Sequence, residues 1–157
     1  MTIHIRDYEP GDATVTAEIF RLAVRITASR DYSPAQLLAW APDDIDLDAW
    51  HERRRSQHTY VAIEDGEVVG FTGLTSDGVL DMLFVDPPSG GRGIAKLLIA
   101  FALDHARAAG HAVVRTRSSR TARGVFERSG FVVDAENEET RLHGHHLPNF
   151  DMHIDLA

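Results

Sequence analysis

The sequence predicts an α/β protein in which about seven strands and about four helices form one domain. The chain has 157 residues, of which 43% are hydrophobic and 25% charged, and these values are typical of one folded globular domain. Apolar runs with strand periodicity alternate along the chain with segments whose apolar residues recur at helical spacing. No internal repeat, linker or low-complexity segment interrupts this order. We therefore expect a single domain over residues 1–157.

The N-terminal part of the chain predicts one strand and then two helices. The run TIHIRDY alternates apolar and polar side chains, which is typical of a half-buried strand. Asp12 is a candidate N-cap for a helix whose apolar face has Ile19, Leu22, Ala23 and Ile26 at helical spacing. Ser33 and Gln36 have the spacing of a capping box, which predicts a second, short helix at this point.

The middle of the chain predicts the end of the helical region and an antiparallel meander. We expect the segment DAWHERRRSQ to continue the helical region and its arginines, Arg53–Arg55, to form a solvated face. The following segment, TYVAIEDGEVVGFTGLTSDGVLDMLFV, holds three β-rich runs separated by Asp65-Gly66 and Asp77-Gly78. Such dipeptides supply the positive φ angles of tight hairpin turns, so consecutive runs should pair antiparallel.

The C-terminal part predicts two more helices and three more strands. A helix over Gly93–Ala109 carries an apolar face and ends before Gly110, a typical C′ residue. After it come the strand HAVVRTR, a helix near TARGVFERS that Gly130 stops, and the strands FVVDA and NFDMHIDL.

Composition and charge exclude several classes of function. The chain has no cysteine, which excludes disulfides, thiolate zinc sites and cysteine nucleophiles. A net charge of -8 argues against a nucleic-acid partner, because that affinity comes largely from neutralised phosphates. No apolar run approaches the roughly 20 residues of a membrane span, and the N-terminus lacks the pattern of a signal peptide. We therefore expect a cytoplasmic protein that binds neither nucleic acid nor membrane.

The stretch VDPPSGGRGIAKLL places three glycines, Gly90, Gly91 and Gly93, at the start of the predicted helix. A helix N-terminus can hold a phosphate with unpaired backbone N–H groups, and glycines let that backbone come close to a ligand. Arg92 can add charge-assisted hydrogen bonds. The spacing is neither GxGxxG nor that of a P-loop. On these residues alone, the turn is either an anion site or a tight connection.

Two segments resemble the motifs of the GNAT N-acetyltransferase superfamily. The stretch FVDPPSGGRGIAKLLI looks like its acetyl-CoA motif, V-x-P-x-x-Q/R-G-x-G-I/V-G/A, with Gly90 in place of the usual Gln or Arg. The stretch SSRTARGVFERSGF resembles its later signature, N-x-x-A-x-x-L/F-Y-E-K/R-x-G-F, with Ser119 at the Asn position. The helix SPAQLLAWAP and the strand VLDMLFV are also similar to the small bacterial YafP-like branch.

The resemblance implies an α+β mixed sheet, partly parallel and partly antiparallel, and acetyl-CoA as the co-substrate. Pantetheine would pair with the backbone of Leu83–Val85, and the pyrophosphate would lie on residues 90–95. Arg120 or Arg123 is a candidate for a phosphate contact, although a solvated helix surface explains both arginines at least equally well. The residues that the resemblance assigns to the co-substrate are Leu83, Phe84, Val85, Gly90, Gly91, Arg92, Gly93, Ile94, Ala95, Ser119, Arg123 and Phe126.

The implied reaction is direct attack of an amine on the thioester in a ternary complex. Asp81, on the strand that leads to the co-substrate, is the candidate base; the alternative is an aspartate satisfied by neighbouring N–H groups. Many relatives have a tyrosine acid where this chain has Phe126, which cannot donate a proton. Tyr32, Tyr60 or a water molecule is a candidate replacement.

Three histidines near the C-terminus, His143, His145 and His146, have three open interpretations: a surface turn, a substrate-pocket wall or a metal site. We favour the surface turn and expect no metal. Trp40 and Trp50 lie in the helical region that lines the acceptor site in relatives, and core packing is the favoured role for both.

We expect an enzyme that acetylates a primary amine of a small molecule or peptide. The alternative is a catalytically silent acyl-CoA-binding or sensor module, which the departures at Gly90 and Phe126 would allow. Because relatives are often dimers, the resemblance also implies a homodimer. The sequence does not identify the acceptor amine.

Overall fold

The computed structural model describes residues 2–156, in which seven strands form the central sheet and five α-helices cover its faces. The strands are β1 (Ile3–Asp7), β2 (His58–Glu64), β3 (Glu67–Leu74), β4 (Val79–Val85), β5 (Val113–Ser119), β6 (Val132–Asn137), β7 (Arg141–Leu142), β8 (His145–His146) and β9 (Asn149–Asp155). The α-helices are α1 (Ala13–Ile26), α2 (Pro34–Trp40), α3 (Leu47–Arg55), α4 (Ile94–Ala108) and α5 (Arg123–Arg128). Short 3-10 turns occupy Pro10–Asp12, Thr27–Arg30 and Pro87–Ser89.

The order of strands in the sheet is β1-β2-β3-β4-β5-β9-β6, and β7 and β8 form a separate hairpin. The three β-rich runs of the sequence pair antiparallel as expected. Between β4 and β5 the pairing is parallel and covers only two register positions, Val79 with Arg115 and Leu80 with Thr116. Both strands continue beyond these positions without pairing to each other. The fold class expected from the sequence is therefore confirmed, and the sheet opens between β4 and β5.

A β-bulge lies in β4 at the point where it leaves β5. Asp81 is opposite Gly73 in β3, whereas Leu83 is opposite Thr72, so Met82 is the extra residue between them. Met82 has a φ of 73°, which is uncommon for a residue with a side chain. The Thr72 hydroxyl donates to the Met82 carbonyl at 2.6 Å and holds this conformation. Bulges redirect side chains and end pairing, and here the bulge coincides with the opening.

The hydrophobic core lies on both faces of the sheet. On one face α1, α2 and α3 pack on the sheet through a cluster that includes Phe20 and Phe71. On the other face α4 and α5 pack through a cluster that includes Ile99 and Phe126. None of the helices within residues 2–156 has the length and apolar character needed to cross a membrane.

Local sequence signals explain most helix boundaries. The capping box of α2 is present, since Gln36 N donates to the Ser33 hydroxyl at 3.2 Å and Ser33 N donates to the Gln36 side chain at 2.7 Å. Asp12 precedes α1, but its carboxylate accepts hydrogen bonds from Arg6 and from Glu9 N and does not cap the helix. The predicted helical region from Ser33 to Gln57 is divided into α2 and α3 by an irregular segment that begins around Ala41.

The prediction of a solvated arginine face on α3 is wrong for Arg54. Arg53 and Arg55 are exposed, but only 1% of Arg54 is exposed, and its guanidinium lies 4.7 Å from the centre of the Trp50 ring. Successive helical residues point about 100° apart, so the middle one of three can face the core while its neighbours face water.

Candidate active site

Three adjoining cavities lie along the opening between β4 and β5. The first, called the α4 cavity, has a volume of about 250 Å³ and lies between the end of β4, the start of α4 and the 3-10 turn Thr27–Arg30. The second, the splay cavity, has about 170 Å³ and lies between Asp81–Phe84 of β4 and Thr116–Ser119 of β5. The third, the hairpin cavity, has about 310 Å³ and is bordered by Thr140–Leu142 and Leu147–Asn149. Ser119 and Trp40 line all three.

The α4 cavity is bounded by an uncapped helix N-terminus. Gly91 and Gly93 have φ angles of 75° and 82°, a left-handed conformation that glycine adopts without strain. The first helical hydrogen bond runs from Leu97 N to Gly93 O, and no side chain of residues 2–156 caps this helix terminus. The partial positive charge of these N–H groups favours an anion.

The lining of the α4 cavity supports the same interpretation. Among the described residues that line it, none is acidic, and two, Arg30 and Arg128, are basic. Sequence reasoning did not assign either arginine to the site. Arg128 lies in the second motif segment, but the motif assigns it no ligand contact. Arg30 follows α1, and no local sequence signal predicts that it lies beside α4.

The structure brings together most of the residues that the resemblance assigns to the co-substrate. Those that line the α4 cavity are Leu83, Phe84, Val85, Gly90, Gly91, Gly93, Ile94, Ala95 and Ser119. Three others do not line it. Arg92 forms an ion pair with Glu64. Arg123 forms an ion pair with Glu127, and its guanidinium lies over the Phe150 ring. Phe126 is buried and packs edge-on against Phe131. Phe126 lines the splay cavity instead.

Asp81, the candidate base, lines both the splay cavity and the hairpin cavity. It lies within β4, and its Oδ2 accepts a hydrogen bond from Gln57 Nε2 at 2.7 Å. Among the described residues, this side-chain amide is the only donor to the Asp81 carboxylate, so neighbouring backbone N–H groups do not satisfy it. One carboxylate oxygen is thus held by the protein, and the side chain borders two cavities.

The two tyrosines proposed as replacement acids occupy different places. Tyr60 packs against Phe101 and His105 on the α4 face and lines none of the three cavities. Tyr32 lines the hairpin cavity with Asp81. Its hydroxyl donates to Pro148 O at 2.7 Å and accepts from Arg120 N at 2.9 Å, and burial raises the pKa of Tyr32 above its usual value.

The β7–β8 hairpin borders the third cavity through the segments on either side of its histidines. His143 Nδ1 lies 3.1 Å from Ala39 O, and His146 Nε2 lies 3.6 Å from a Glu139 carboxylate oxygen. None of the three histidines lines the hairpin cavity. Within residues 2–156, no group of three or more side chains has the arrangement of a metal site.

The two tryptophans have different roles. Trp50 is buried in the core, and its Nε1 donates to the Thr16 hydroxyl at 3.0 Å. Trp40 is half-buried, packs edge-on against Phe84 and Tyr32, and lines all three cavities. The expectation of core packing is therefore correct for Trp50. Trp40 also packs against this core from its half-buried position, and in addition it forms a wall of the candidate site.

Comparison with known proteins gives consistent similarities. Residues 28–156 match the family model described as acetyltransferase (GNAT) domain. The chain is 36% identical over 150 residues to the uncharacterized N-acetyltransferase YafP of Escherichia coli (strain K12), which covers 96% of this chain and 94% of YafP. The crystal structure of a GCN5-related N-acetyltransferase from Rhodopseudomonas palustris superimposes with a TM-score of 0.93 at 32% identity, covering 99% of this chain and 96% of that one.

A more distant structure has the same fold. It is yncA from Salmonella typhimurium, which was solved with its cofactor acetyl-CoA. It superimposes with a TM-score of 0.77 at 22% identity and covers 100% of this chain and 95% of its own.

Proposed function

Because the chain belongs to the GNAT superfamily of acetyltransferases and has a YafP relative, we propose that it transfers the acetyl group of acetyl-CoA to a primary amine of a small molecule or peptide. The observation that carries this proposal is the opening between β4 and β5. The N-terminus of α4 borders one cavity along it, and the Asp81 carboxylate lines another. The two substrates would approach from opposite ends of this opening and meet at the splay cavity.

The α4 cavity fits the diphosphate and pantetheine parts of acetyl-CoA. The N–H groups at the start of α4 are available to the diphosphate, and no described acidic side chain in the lining would repel it. Beyond Leu80, β4 has no partner strand on the β5 side in the part of the chain that the structure describes. The backbone of Leu83–Val85 is therefore available to the pantetheine amides, which would extend the sheet as an added strand does.

The chemistry requires a base, because alkyl ammonium groups lose their proton only near a pKa of roughly 10.4. We assign this role to Asp81, which accepts the proton directly or through one water molecule. The amine nitrogen then attacks the thioester carbon, the new C–N bond forms, and the C–S bond breaks with its electrons on sulfur. The nitrogen, which still carries one proton more than the amide product, gives that proton to the thiolate directly or through water, and the proton on Asp81 passes to solvent. Release of the sulfur as a thiolate is feasible because thiols have a pKa of roughly 8.5.

A backbone N–H near Leu83 or Phe84 is the candidate oxyanion donor. The β-bulge at Met82 supports this role, because it changes the direction of the backbone immediately before these residues.

The hairpin cavity supports a compact acceptor. Its volume of about 310 Å³ fits a small amine or the end of a peptide. Trp40 and Leu142 give it apolar walls, while Asp81 and Arg117 supply opposite charges. An ammonium group would bind beside Asp81, where the reaction also needs it.

The test combines calorimetry with acetyl transfer to a panel of phenethylamine, spermidine, lysine and an alanine-terminated tetrapeptide. We expect acetyl-CoA to bind with a Kd of roughly 1–100 μM, or about -8 to -5.5 kcal/mol, and at least one amine to be acetylated. Absence of binding would contradict the co-substrate assignment. Binding without transfer to any amine would favour the silent acyl-CoA-binding module.

Asp81→Asn tests the base. Loss of a positioned base lowers kcat by roughly 100- to 10,000-fold, whereas the Kd for acetyl-CoA should stay within about twofold because Asp81 does not line the α4 cavity. Ser76→Asn, on an exposed turn, is a control that should keep the wild-type rate. A wild-type rate in Asp81→Asn would contradict the assignment.

A further inference from the structure

The charge of the hairpin cavity differs from that of the molecule as a whole. The chain has 24 aspartates and glutamates against 16 lysines and arginines, which gives a net charge of -8. Among the described residues that line the cavity, Asp81 is the only acid, whereas Arg117 and Arg141 are both basic. A site for a cationic amine needs the carboxylate, but two guanidinium groups in the same cavity repel that amine. The amine alone therefore does not explain these arginines.

Asp81 and Arg117 have opposite charges and line both the splay cavity and the hairpin cavity. Among the described residues, they form no ion pair with each other. The Asp81 carboxylate accepts a hydrogen bond from the neutral amide of Gln57, while Arg117 Nε pairs with Asp151 Oδ1 at 3.2 Å. Two opposite charges that line one cavity without pairing to each other match a ligand that carries both an ammonium and a carboxylate.

The guanidinium of Arg117 is held from one side by a polar network on the neighbouring strands. Arg117 of β5 lies opposite Asp151 of β9 in the sheet. Asp151 Oδ1 also accepts from Asn137 Nδ2 at 3.0 Å, and the same Nδ2 donates to Asn149 Oδ1 at 3.0 Å. Among the described residues, Arg117 donates to the protein only through Nε, so its two Nη groups are available to a ligand. Such a group is well suited to a carboxylate.

The remaining walls of the hairpin cavity add one more positive charge and an apolar surface. Arg141 of β7 is exposed, and its Nη1 donates to Gly144 O at 3.2 Å. Trp40, Leu142 and Leu147 are the apolar side chains of larger size in the lining. A volume of about 310 Å³ has room for one small molecule with an apolar side chain.

We propose that the acceptor is a free amino acid with an apolar side chain, whose ammonium binds beside Asp81 and whose carboxylate binds Arg117. This inference rests on the proposed function and narrows its acceptor class. A simple amine lacks the group that Arg117 binds, and the first residue of a peptide has a neutral amide in its place. The products are the N-acetylamino acid and coenzyme A. Arg117 is then a specificity residue that contacts the substrate away from the reacting atoms, and Arg141 adds to the positive potential.

The test compares acceptors that differ by the carboxylate: phenylalanine with phenethylamine, and leucine with isopentylamine. We expect the wild type to have the higher kcat/KM for the amino acid of each pair. In Arg117→Gln the ratio of kcat/KM within each pair should fall by roughly three- to tenfold, the effect of a partly exposed charged contact. The fall should come mainly from the KM of the amino acid, because the carboxylate binds equally well before and during the reaction. Arg117→Lys keeps the charge and should lose less.

Two further variants separate a contact with the carboxylate from other effects. Arg115→Gln removes an exposed arginine two residues earlier on the same face of β5, and Arg115 lines none of the three cavities. This matched control loses the same charge but should keep the wild-type ratio. Arg141→Gln lies on another element and should lower the ratio by a smaller factor, so it tests the proposal even if Arg117→Gln does not fold. A merely structural role of Arg117 would reduce kcat/KM equally for both members of a pair.

Several results would overturn the inference, and they differ in what they leave standing. If the wild type acetylates the simple amines or the tetrapeptide at least as efficiently as the amino acids, the acceptor class is wrong but the proposed function stands. The same holds if the ratio is unchanged in both Arg117→Gln and Arg141→Gln. If no compound of the panel or of the two pairs is acetylated, the proposed function fails and the amino-acid acceptor fails with it.

Discussion

At the scale of single residues, Gly90 is the clearest departure from the motif that this chain resembles. Its backbone, with φ of -66° and ψ of 159°, is open to any residue, and an added Cβ would meet only the Pro87 carbonyl, at 3.2 Å. Gly90 is exposed and lines the α4 cavity. The backbone conformation therefore does not require a glycine, although a side chain at this position needs the Pro87 carbonyl to move by a few tenths of an ångström.

Gly90→Arg should tighten acetyl-CoA binding by roughly three- to tenfold, because a guanidinium at this position can form a charge-assisted hydrogen bond to the diphosphate. Calorimetry at low and high salt measures the gain, which should decrease as salt increases. Arg92→Gln is the comparison: its guanidinium is paired with Glu64, so the affinity should change by less than about twofold. An unchanged affinity in Gly90→Arg would place the diphosphate elsewhere.

The three arginines of α3 show what sequence reasoning misses at this scale. Arg53, Arg54 and Arg55 are chemically identical, and only the packing of α3 against the sheet determines which of them is buried. Gln57 likewise carries no local signal, because its partner Asp81 is 24 residues away in the chain. Asp81 and the glycine turn, by contrast, could be nominated as candidate site residues, because Asp81 lies on the strand that precedes the motif and the glycines lie within it.

At the scale of elements, the entry to α1 depends on an ion pair. Burial of the Asp12 carboxyl opposes its ionisation, but hydrogen bonds from Arg6 and from Glu9 N outweigh burial and lower the pKa of Asp12. A carboxyl whose pKa is lower in the folded state stabilises the fold fully above its ordinary pKa, roughly 3.9. This stabilisation is lost as pH falls through the folded-state pKa.

Asp12→Asn should therefore lower the free energy of unfolding by about 1–2 kcal/mol at pH 7 and by clearly less near pH 3. Urea denaturation at both pH values measures the difference. Asp43→Asn serves as the control, because its ion pair with Arg25 involves a highly exposed carboxylate and should matter little at either pH. An equal loss for Asp12→Asn at both pH values would indicate that the ion pair does not stabilise this junction.

The boundaries of helices and turns could be predicted from the sequence where they depend on residues close together in the chain. The capping box of Ser33 and Gln36, the Asp65-Gly66 turn and the end of α4 before Gly110 each depend on residues a few positions apart. The division between α2 and α3 and the limited pairing of β4 with β5 depend on tertiary packing. The resemblance implied a mixed sheet, but residues such as Arg30 lie beside the site only because of how α1 and the turn after it pack.

At the scale of the whole molecule, the open sheet predicts a strong response to the co-substrate. Acetyl-CoA at about 100 times its Kd should stabilise the fold by about 2.7 kcal/mol, which for a domain of this size raises the melting temperature by roughly 5–10 °C. Scanning calorimetry measures the shift. Pantetheine, which lacks the diphosphate, should give a much smaller shift at the same concentration, and an equal shift would contradict a role for the α4 N-terminus.

The two-position pairing of β4 with β5 also has a consequence for how the two substrates would influence each other. Asp81 and Arg117, which both line the hairpin cavity, belong to strands that pair at Val79–Leu80 and Arg115–Thr116. A co-substrate that bridged the two strands would fix the distance between these side chains and so shape the acceptor site. By thermodynamic reciprocity, a bound amine would raise the affinity for acetyl-CoA by the same factor. We therefore expect the two substrates to bind cooperatively.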